Sequence, residues 1–315
     1  MPRLTLLFTG GGGAGTQALY DLLCDKYDAH FADADPEAKA WSIPSRCWHT
    51  VPLAGDSRFI DDLRRLCGDL GVDVLVPGVD EELLPLSSAR HTMPCELLLP
   101  PLSFVQTHLD KLSTAELLQS HGLSTPATES LSHRRRVTFP CILKPRCGRG
   151  SRNVAVVRSE AELRAHVATS RRPEGDFIVQ ELLLGQEYTV MMAADRSGIL
   201  RAVVPVRVDL KRGITLRAET DRDEAVVEGC RAIHEADPVP GCYNIQLFKS
   251  PDGTVKPCEI NPRISTTACL AVAAGVDFVD LCVGGHPASI DDRDGLARFQ
   301  TGLRLKRAWH NEFLA

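Results

Sequence analysis

Three polar side chains alternate along one segment of the chain, residues 254–265. Glu259, Asn261 and Arg263 occupy every second position, so on an extended backbone they leave the same face. Carboxylate and amide oxygens are ligands that Mg²⁺ prefers, and a guanidinium suits the charge of a phosphoryl group. The pattern is also compatible with a solvated strand face that ends at Pro262, and the spacing alone leaves both interpretations open.

A second strand candidate, residues 243–248, lies directly upstream, and turn-forming residues 250–253 separate the two runs. Such a pattern predicts a β-hairpin. Gln246 would then lie beside Glu259 and Asn261, and three oxygen ligands could converge on one or two divalent cations. Taken by itself, Gln246 is an ordinary strand residue.

Two lysines and a glycine-containing loop form a second group of candidates. Lys111 falls in the first turn of a helix predicted to begin near residue 108, where a cation is unfavourable unless it has an anionic partner. Lys144 ends a predicted strand and precedes the basic loop 146–153. The backbone amides of this loop, together with Arg149, could close over phosphates. A solvated lysine and a basic hairpin turn are the alternatives.

The N-terminal segment carries a competing signal. An apolar run at 4–8 predicts a buried strand, and Gly-x-Gly-x-x-Gly follows at 10–15. Asp33 lies about 20 residues further on, which completes a dinucleotide fingerprint. This pattern favours an NAD-dependent oxidoreductase. The alternative is a glycine turn that only lets a strand and a helix pack closely.

Strand and helix signals alternate over residues 1–100, which predicts a parallel α/β sheet with four strands. The Pro-Pro pair at 100–101 marks a domain boundary. At residue 159 a serine followed three residues later by glutamate predicts a helix N-terminus. The 315 residues can bury a sizeable core, and two or three domains are expected.

Composition narrows the class of protein. The net charge of -5 does not indicate binding to nucleic acid or to an anionic membrane, since either would favour a basic surface. The eleven cysteines are scattered without zinc spacing, which indicates free thiols and favours a cytoplasmic location. The N-terminal run resembles a strand and not a signal peptide, and no apolar stretch reaches membrane-spanning length.

The ordered elements resemble the ATP-grasp superfamily over essentially the whole chain. Asn-Ile-Gln-Leu-Phe, a turn and Glu-Ile-Asn-Pro-Arg-Ile-Ser look like the metal and phosphate hairpin of its carbamoyl phosphate synthetase large-subunit branch and of the similar amino-acid ligases. The resemblance implies an α/β and α+β fold. It places a Rossmann-like pre-ATP-grasp domain at 1–101, a small lobe with the phosphate loop at 102–182, and a large lobe with the metal site at 183–315.

The resemblance also implies roles for individual residues. The nucleotide would be held by the following residues: Lys111, Lys144, Gly148, Arg149, Gly150, Ser151, Glu181, Leu183 and Glu187. Within this set, backbone at 181 and 183 would meet the adenine edge, and the carboxylate at 187 would meet the ribose. The metal ligands would be Gln246, Glu259 and Asn261. The catalytic cations would be Arg263, Lys144 and Lys211.

The activity implied is an ADP-forming carboxylate–amine ligase that uses ATP with Mg²⁺, or Mn²⁺ in its place. Its partners would be a small carboxylate and a small amine, such as amino acids, and related enzymes are commonly homodimers. A non-catalytic ATP-binding relative and a phosphotransferase on the same fold remain alternatives. The basic segment 207–217 hints at anionic substrate groups, and the acidic residues 80–82 could meet a cationic amine.

Overall fold

The computed structural model describes residues 3–134, 137–284, 290–291 and 294–308. Within these residues the chain forms three β-sheets of five, six and four strands. No helix in this part of the chain combines the length and the apolar character that a bilayer span requires.

The N-terminal sheet is parallel throughout and has the strand order β3-β2-β1-β4-β5. The elements of this part are β1 (Thr5–Thr9), α1 (Thr16–Leu23), β2 (Asp28–Asp33), β3 (Trp48–Thr50), α2 (Phe59–Leu70), β4 (Val74–Val76), α3 (Asp80–Ala89) and β5 (Glu96–Leu97). The predicted parallel sheet is confirmed. The expected count of four strands is wrong, because β3 is an edge strand of sequence Trp-His-Thr, which has no apolar run to indicate it.

The following segment builds a four-stranded antiparallel sheet of order β6-β9-β7-β8. Its elements are α4 (Leu102–Leu109), α5 (Lys111–Ser120), β6 (Thr128–Ser130), β7 (Cys141–Pro145), β8 (Ala155–Val157), α6 (Glu160–Ser170) and β9 (Phe177–Glu181). The predicted N-cap of α6 is confirmed, since the Ser159 hydroxyl accepts a hydrogen bond from the backbone N–H of Glu162 at 3.2 Å.

One helix boundary differs from the prediction. The helix expected to begin near residue 108 is broken at Asp110, which ends α4 and caps α5. The Asp110 carboxylate accepts from the backbone N–H of Leu112 at 2.9 Å and also pairs with Arg146. Lys111 is therefore the first residue of α5, and its ammonium lies 3.6 Å from the Glu259 carboxylate, which offsets the unfavourable position.

The largest sheet is antiparallel and has the order β14-β13-β10-β11-β12-β15. Its elements are β10 (Gln186–Ala194), β11 (Leu200–Arg212), β12 (Ile214–Thr220), α7 (Glu224–Ala236), β13 (Gly241–Lys249), β14 (Val255–Asn261), α8 (Ala268–Ala273), α9 (Phe278–Val283) and β15 (Arg304–Lys306). β11 is the longest of these strands and continues as far as Arg212.

The N-terminal sheet and the largest sheet share one hydrophobic core. Phe8 and Phe31 of the first sheet belong to the same buried cluster as Met191 and Val204 of the other, with Phe278 of α9 between them. All five side chains are at most 3% exposed. Shared burial of this kind orients the two sheets, so the cavities between them have fixed walls.

Gly185, between β9 and β10, is a position where a side chain is expected to be costly. Its φ is +136°, and a Cβ there would lie 2.2 Å from the carbonyl oxygen of Lys249. We expect Gly185→Ala to lower the free energy of unfolding by about 2–5 kcal/mol, measured by urea denaturation. Gly68→Ala is the matched control, because Gly68 lies in α2 with nothing near its Cβ position. It should stabilise by up to about 1 kcal/mol. Equal stabilities of the two variants would contradict the prediction.

Candidate active site

The predicted hairpin is formed by β13 and β14. Gln246 lies directly opposite Glu259, and Asn244 lies opposite Asn261. The Arg263 side chain follows just beyond the end of β14. The structure therefore brings the three predicted metal-ligand residues together on adjacent strands, and it adds Asn244, which the sequence analysis had not singled out.

The oxygen atoms of this cluster have unequal freedom. The Asn261 amide nitrogen donates to the Asn244 Oδ1 at 3.2 Å, so the Asn261 Oδ1 is not the atom used in that bond. Glu259 Oε1 lies 3.6 Å from the Lys111 ammonium. The Gln246 Oε1 accepts a hydrogen bond from Lys211 at 3.1 Å. Glu259 and Asn261 thus suit a hard cation, whereas a cation at Gln246 would have to displace Lys211.

Two lysines point into the same region from other elements. The Lys111 ammonium donates to the carbonyl of Gly148 at 2.8 Å, and the Lys144 ammonium donates to the carbonyl of Cys258 at 3.1 Å. Their residues are only 8% and 6% exposed. Burial lowers the pKa of Lys144, and the cations of Lys111 and Lys211 act in the same direction. Such a cluster of buried cations is stabilised by an anionic ligand.

A cavity of about 460 Å³ collects these side chains. Every residue predicted to bind nucleotide or metal, or to act in catalysis, lines it: Lys111, Lys144, Gly148, Arg149, Gly150, Ser151, Glu181, Leu183, Glu187, Lys211, Gln246, Glu259, Asn261 and Arg263. The residues come from α5, the four-stranded sheet, the largest sheet and the segments between them. Their convergence in one cavity is a fact of the structure, and the individual roles remain predictions.

The linker between β9 and β10 forms one end of this cavity. The Glu181 carboxylate accepts from the Lys256 ammonium at 2.9 Å and from the backbone N–H of Ala127 at 3.1 Å. No backbone hydrogen bond to Leu183 is formed within the described residues. A free backbone donor and acceptor at this place suits the edge of a planar heterocycle. The Glu187 carboxylate, predicted to meet the ribose, accepts from Lys211 at 2.5 Å.

A larger cavity, of about 930 Å³, lies between the N-terminal sheet and the largest sheet. Lys211, Gln246 and Arg263 line both cavities, as do Arg149 and Gly150 of the basic loop. The two spaces therefore meet at the side chains that would surround the terminal phosphate of a nucleotide.

Residues 174–308 match the family described as "ATP-grasp in the biosynthetic pathway with Ter operon". The carbamoyl phosphate synthase large chain of Clostridium beijerinckii is 25% identical in an alignment of 191 positions that covers 55% of this chain and 18% of that protein. The matched part of this chain is similar to ATP-grasp proteins. The chain spans less than a fifth of the length of that relative.

Two solved structures extend the ATP-grasp comparison to almost the whole chain. L-amino acid ligase from Bacillus licheniformis has a TM-score of 0.67 at 17% identity and covers 88% of this chain and 73% of its own. Carboxyaminoimidazole ribonucleotide synthase from Aspergillus clavatus, complexed with ATP, has a TM-score of 0.71 at 16% identity, covering 94% and 80%. At these identities the likeness shows the fold alone.

The glycine turn at residues 10–15 is poorly suited to a dinucleotide. The backbone N–H groups of Gly11, Gly12 and Gly13 donate to the Ala32 carbonyl, the Asp33 carboxylate and the Gly10 carbonyl, at 2.8–3.0 Å. A pyrophosphate would need such donors free. Asp33 is likewise used by the turn itself. The turn therefore matches the packing alternative, and the oxidoreductase hypothesis is not favoured.

The acidic residues at the start of α3 have partners that the sequence analysis missed. Asp80 pairs with the Arg263 guanidinium, and Glu81 Oε2 lies 2.8 Å from the Arg149 Nε. The first two members of the run 80–82 therefore neutralise arginines of the protein in this structure, and the expectation that the run meets an amine stays a prediction. Glu82 differs, since its carboxylate accepts from the Thr9 hydroxyl.

The basic segment 207–217 reaches the two cavities through one of its charged side chains. Lys211 lines both cavities, whereas Arg207 pairs with Asp209 and with Glu219 at 3.1 Å, and neither Arg212 nor Arg217 lines either cavity. Among these four residues, Lys211 is the one that could meet an anionic group in the cavities, and its role stays a prediction.

Proposed function

We propose that this chain is an ATP-dependent ligase that joins a carboxylate to an amine through an acyl phosphate, releasing ADP and phosphate. The observation that carries the proposal is the junction of the two cavities at Lys211, Gln246 and Arg263. A nucleotide in the smaller cavity would present its terminal phosphate to an acceptor in the larger one. Transfer across such a junction requires positioning and charge stabilisation, and no covalent nucleophile from the protein.

The phosphates of the nucleotide are assigned to Lys111, Lys144 and the glycine loop 146–153. The two lysines are buried and lie beside the loop and the hairpin, so phosphate oxygens supply the negative charge that burial otherwise disfavours. The adenine edge is assigned to the backbone at Leu183, and the ribose to Glu187. Closure of the loop would exclude water, which otherwise hydrolyses an acyl phosphate.

Glu259 and Asn261 are the residues proposed to hold Mg²⁺, with Mn²⁺ as a substitute, and Gln246 joins them when Lys211 moves away. One carboxylate and two amide oxygens are hard donors on adjacent strands, as such a cation requires. The bound cation would neutralise phosphate charge. Arg263 lies where charge develops on the transferred group.

The larger cavity is the proposed site of the two organic substrates. The name of the L-amino acid ligase, which shares this fold, supports amino acids or their derivatives as candidates. We also propose the divisions 1–101, 102–182 and 183–315 as domains, because each of the three sheets lies essentially within one of them. A homodimer is proposed only by analogy with related enzymes.

The decisive experiment measures ADP and phosphate release from Mg²⁺-ATP against a panel of amino acids, singly and in pairs. The proposal expects release that depends on particular amino acids and yields a coupled product detected by mass spectrometry. Release without a coupled product would favour a phosphotransferase. Protection from thermal unfolding by ATP without any turnover would favour a binding protein. Protection by NADH and not by ATP would overturn the proposal.

A further inference from the structure

The larger cavity has walls of opposite charge. Cationic side chains of the basic loop and the largest sheet face it on one side, and five carboxylates line it elsewhere. These carboxylates are Asp33, Asp35, Asp56, Glu81 and Glu82. The partners of each carboxylate decide which of them is available to a ligand.

Four of these carboxylates already have strong donors. Asp33 accepts from the backbone N–H groups of Gly12 and Asp35, and Asp35 accepts from the backbone N–H of Glu37. Asp56 pairs with Arg58, and Glu81 pairs with Arg149. Glu82 differs from them. Within the described part of the chain, its carboxylate accepts a hydrogen bond from the Thr9 hydroxyl, which is neither a cation nor a backbone amide.

Glu82 is also deeply buried. It is 7% exposed, and Thr9 is 3% exposed. Burial raises the pKa of Glu82 to about 7, and the charges of Asp33 and Glu81 act in the same direction, while the Thr9 hydrogen bond and the Arg149 charge oppose it. A buried carboxylate without a cation is unfavourable, and a cationic ligand would remove that cost.

The chemistry favours an ammonium group over a metal ion as this ligand. The described residues contain no group of three or more His, Cys, Asp or Glu side chains that could bind a metal. One carboxylate and one hydroxyl fall short of the six to eight oxygen ligands that Ca²⁺ takes, and Mg²⁺ is usually bound together with substrate phosphates, which are assigned to the smaller cavity. They suit an ammonium ion, which carries three donors and binds to a small number of acceptors.

We propose that Glu82 binds the amine substrate of the ligase as an ammonium ion and accepts one of its protons. This inference deepens the proposed function and rests on it. Transfer of a proton from R–NH₃⁺ to the Glu82 carboxylate leaves R–NH₂ with a free electron pair. That pair forms the C–N bond at the acyl carbon, and the C–O bond to phosphate breaks. The leaving phosphate takes the electron pair of that bond and the second nitrogen-bound proton.

The first test separates acyl phosphate formation from amine attack. Hydroxylamine is largely uncharged near neutral pH, so it can trap an acyl phosphate as a hydroxamate without needing a carboxylate to bind it. We expect Glu82→Gln to form hydroxamate at the wild-type rate from the carboxylate substrates that support ADP release. Its kcat/KM for ammonium-bearing amines should fall by about 10²-fold. Glu96→Gln, which alters a surface ion pair with Arg196, should leave both rates unchanged.

The second test uses the wild-type protein and does not require turnover. The ¹³C-carboxyl signal of Glu82 is identified as the glutamate signal that Glu82→Gln or Glu82→Asp removes. Ethylammonium chloride should lower the pKa at which this signal titrates, and potassium chloride at equal concentration should not. If the Glu82→Gln variant fails to fold, the Glu82→Asp variant identifies the Glu82 signal in its place.

The outcomes distinguish this inference from the proposed function. Loss of amine coupling with retained hydroxamate formation, together with the titration shift, supports both. Retention of amine coupling in Glu82→Gln overturns the role of Glu82 and leaves the ligase intact. If none of the carboxylate substrates yields a hydroxamate, the proposed ligase function is wrong. In that case only the titration tests the inference. A lowered pKa of Glu82 with ethylammonium supports a site for a cationic amine, and an unchanged pKa overturns it.

Discussion

Replacing Glu259 with alanine is expected to lower ATP turnover by about 10²–10³-fold. Glu259 is the one carboxylate among the proposed cation ligands, and it lies opposite Gln246 on the neighbouring strand. Its removal takes away the negative charge that attracts Mg²⁺. The Mg²⁺ concentration needed for half-maximal rate should rise as kcat falls. Steady-state ADP release over a range of Mg²⁺ concentrations measures both quantities.

Two further variants isolate the cause of this loss. Glu259→Gln retains the volume and one oxygen, so it should bind Mg²⁺ weakly and recover part of the rate at high metal concentration. Glu219→Ala alters a carboxylate of the largest sheet that pairs with Arg207 outside the cavities, and turnover should be unchanged. If Glu259→Ala kept the wild-type dependence on Mg²⁺, the assignment of the cation to this hairpin would be wrong.

Replacing Lys144 with methionine is expected to separate stability from activity. The ammonium group is buried, and its pKa is lowered by that burial and by nearby cations. An apolar side chain of similar length should leave the unliganded protein as stable or more stable, by up to about 4 kcal/mol. The loss of a charge-assisted hydrogen bond to phosphate should weaken ATP binding by about 10–100-fold, and the rate of phosphoryl transfer should fall further.

The pH dependence gives this prediction a second readout. A lowered pKa means that the unfolded state binds a proton more readily than the native state does. Wild-type stability therefore gains a contribution from Lys144 as pH rises from the lowered pKa toward the ordinary value of lysine. The methionine variant should lack this contribution. Calorimetry with and without ATP tests both effects, with Lys249→Met as control, since Lys249 pairs with Asp223 outside the cavities. Unchanged ATP affinity in Lys144→Met would refute the assignment.

The hairpin was predictable because the information that forms it is local. Three signals lie within about two strand lengths of one another. They are the alternating polar residues of β14, the turn-forming residues 250–253 and the strand pattern of β13 upstream. The N-cap at Ser159 is equally local. Such features depend on short-range backbone geometry, so one sequence is sufficient to predict them. The convergence of the two lysines on this hairpin was implied by the family resemblance and not by spacing.

The contacts at the start of α3 were not predictable in the same way. Asp80 and Arg263 are separated by 183 residues, and Glu81 and Arg149 by 68. No local rule relates such pairs, because they depend on how the N-terminal sheet packs against the largest sheet. The break at Asp110 was missed for a related reason. Its capping role is strengthened by Arg146, which a reading of the helix pattern alone does not include.

The ion pair between Asp80 and Arg263 affects how Arg263 can bind an anionic substrate group. Both side chains are largely removed from water, at 12% and 14% exposure. The guanidinium has therefore lost its hydration before any substrate arrives, and an incoming anionic group would exchange with a carboxylate that is already bound. Binding of an anionic group to Arg263 is then an exchange for the Asp80 carboxylate at a site largely removed from water. The measured affinity therefore reports the difference in free energy between two ion pairs and not the free energy of a single pair.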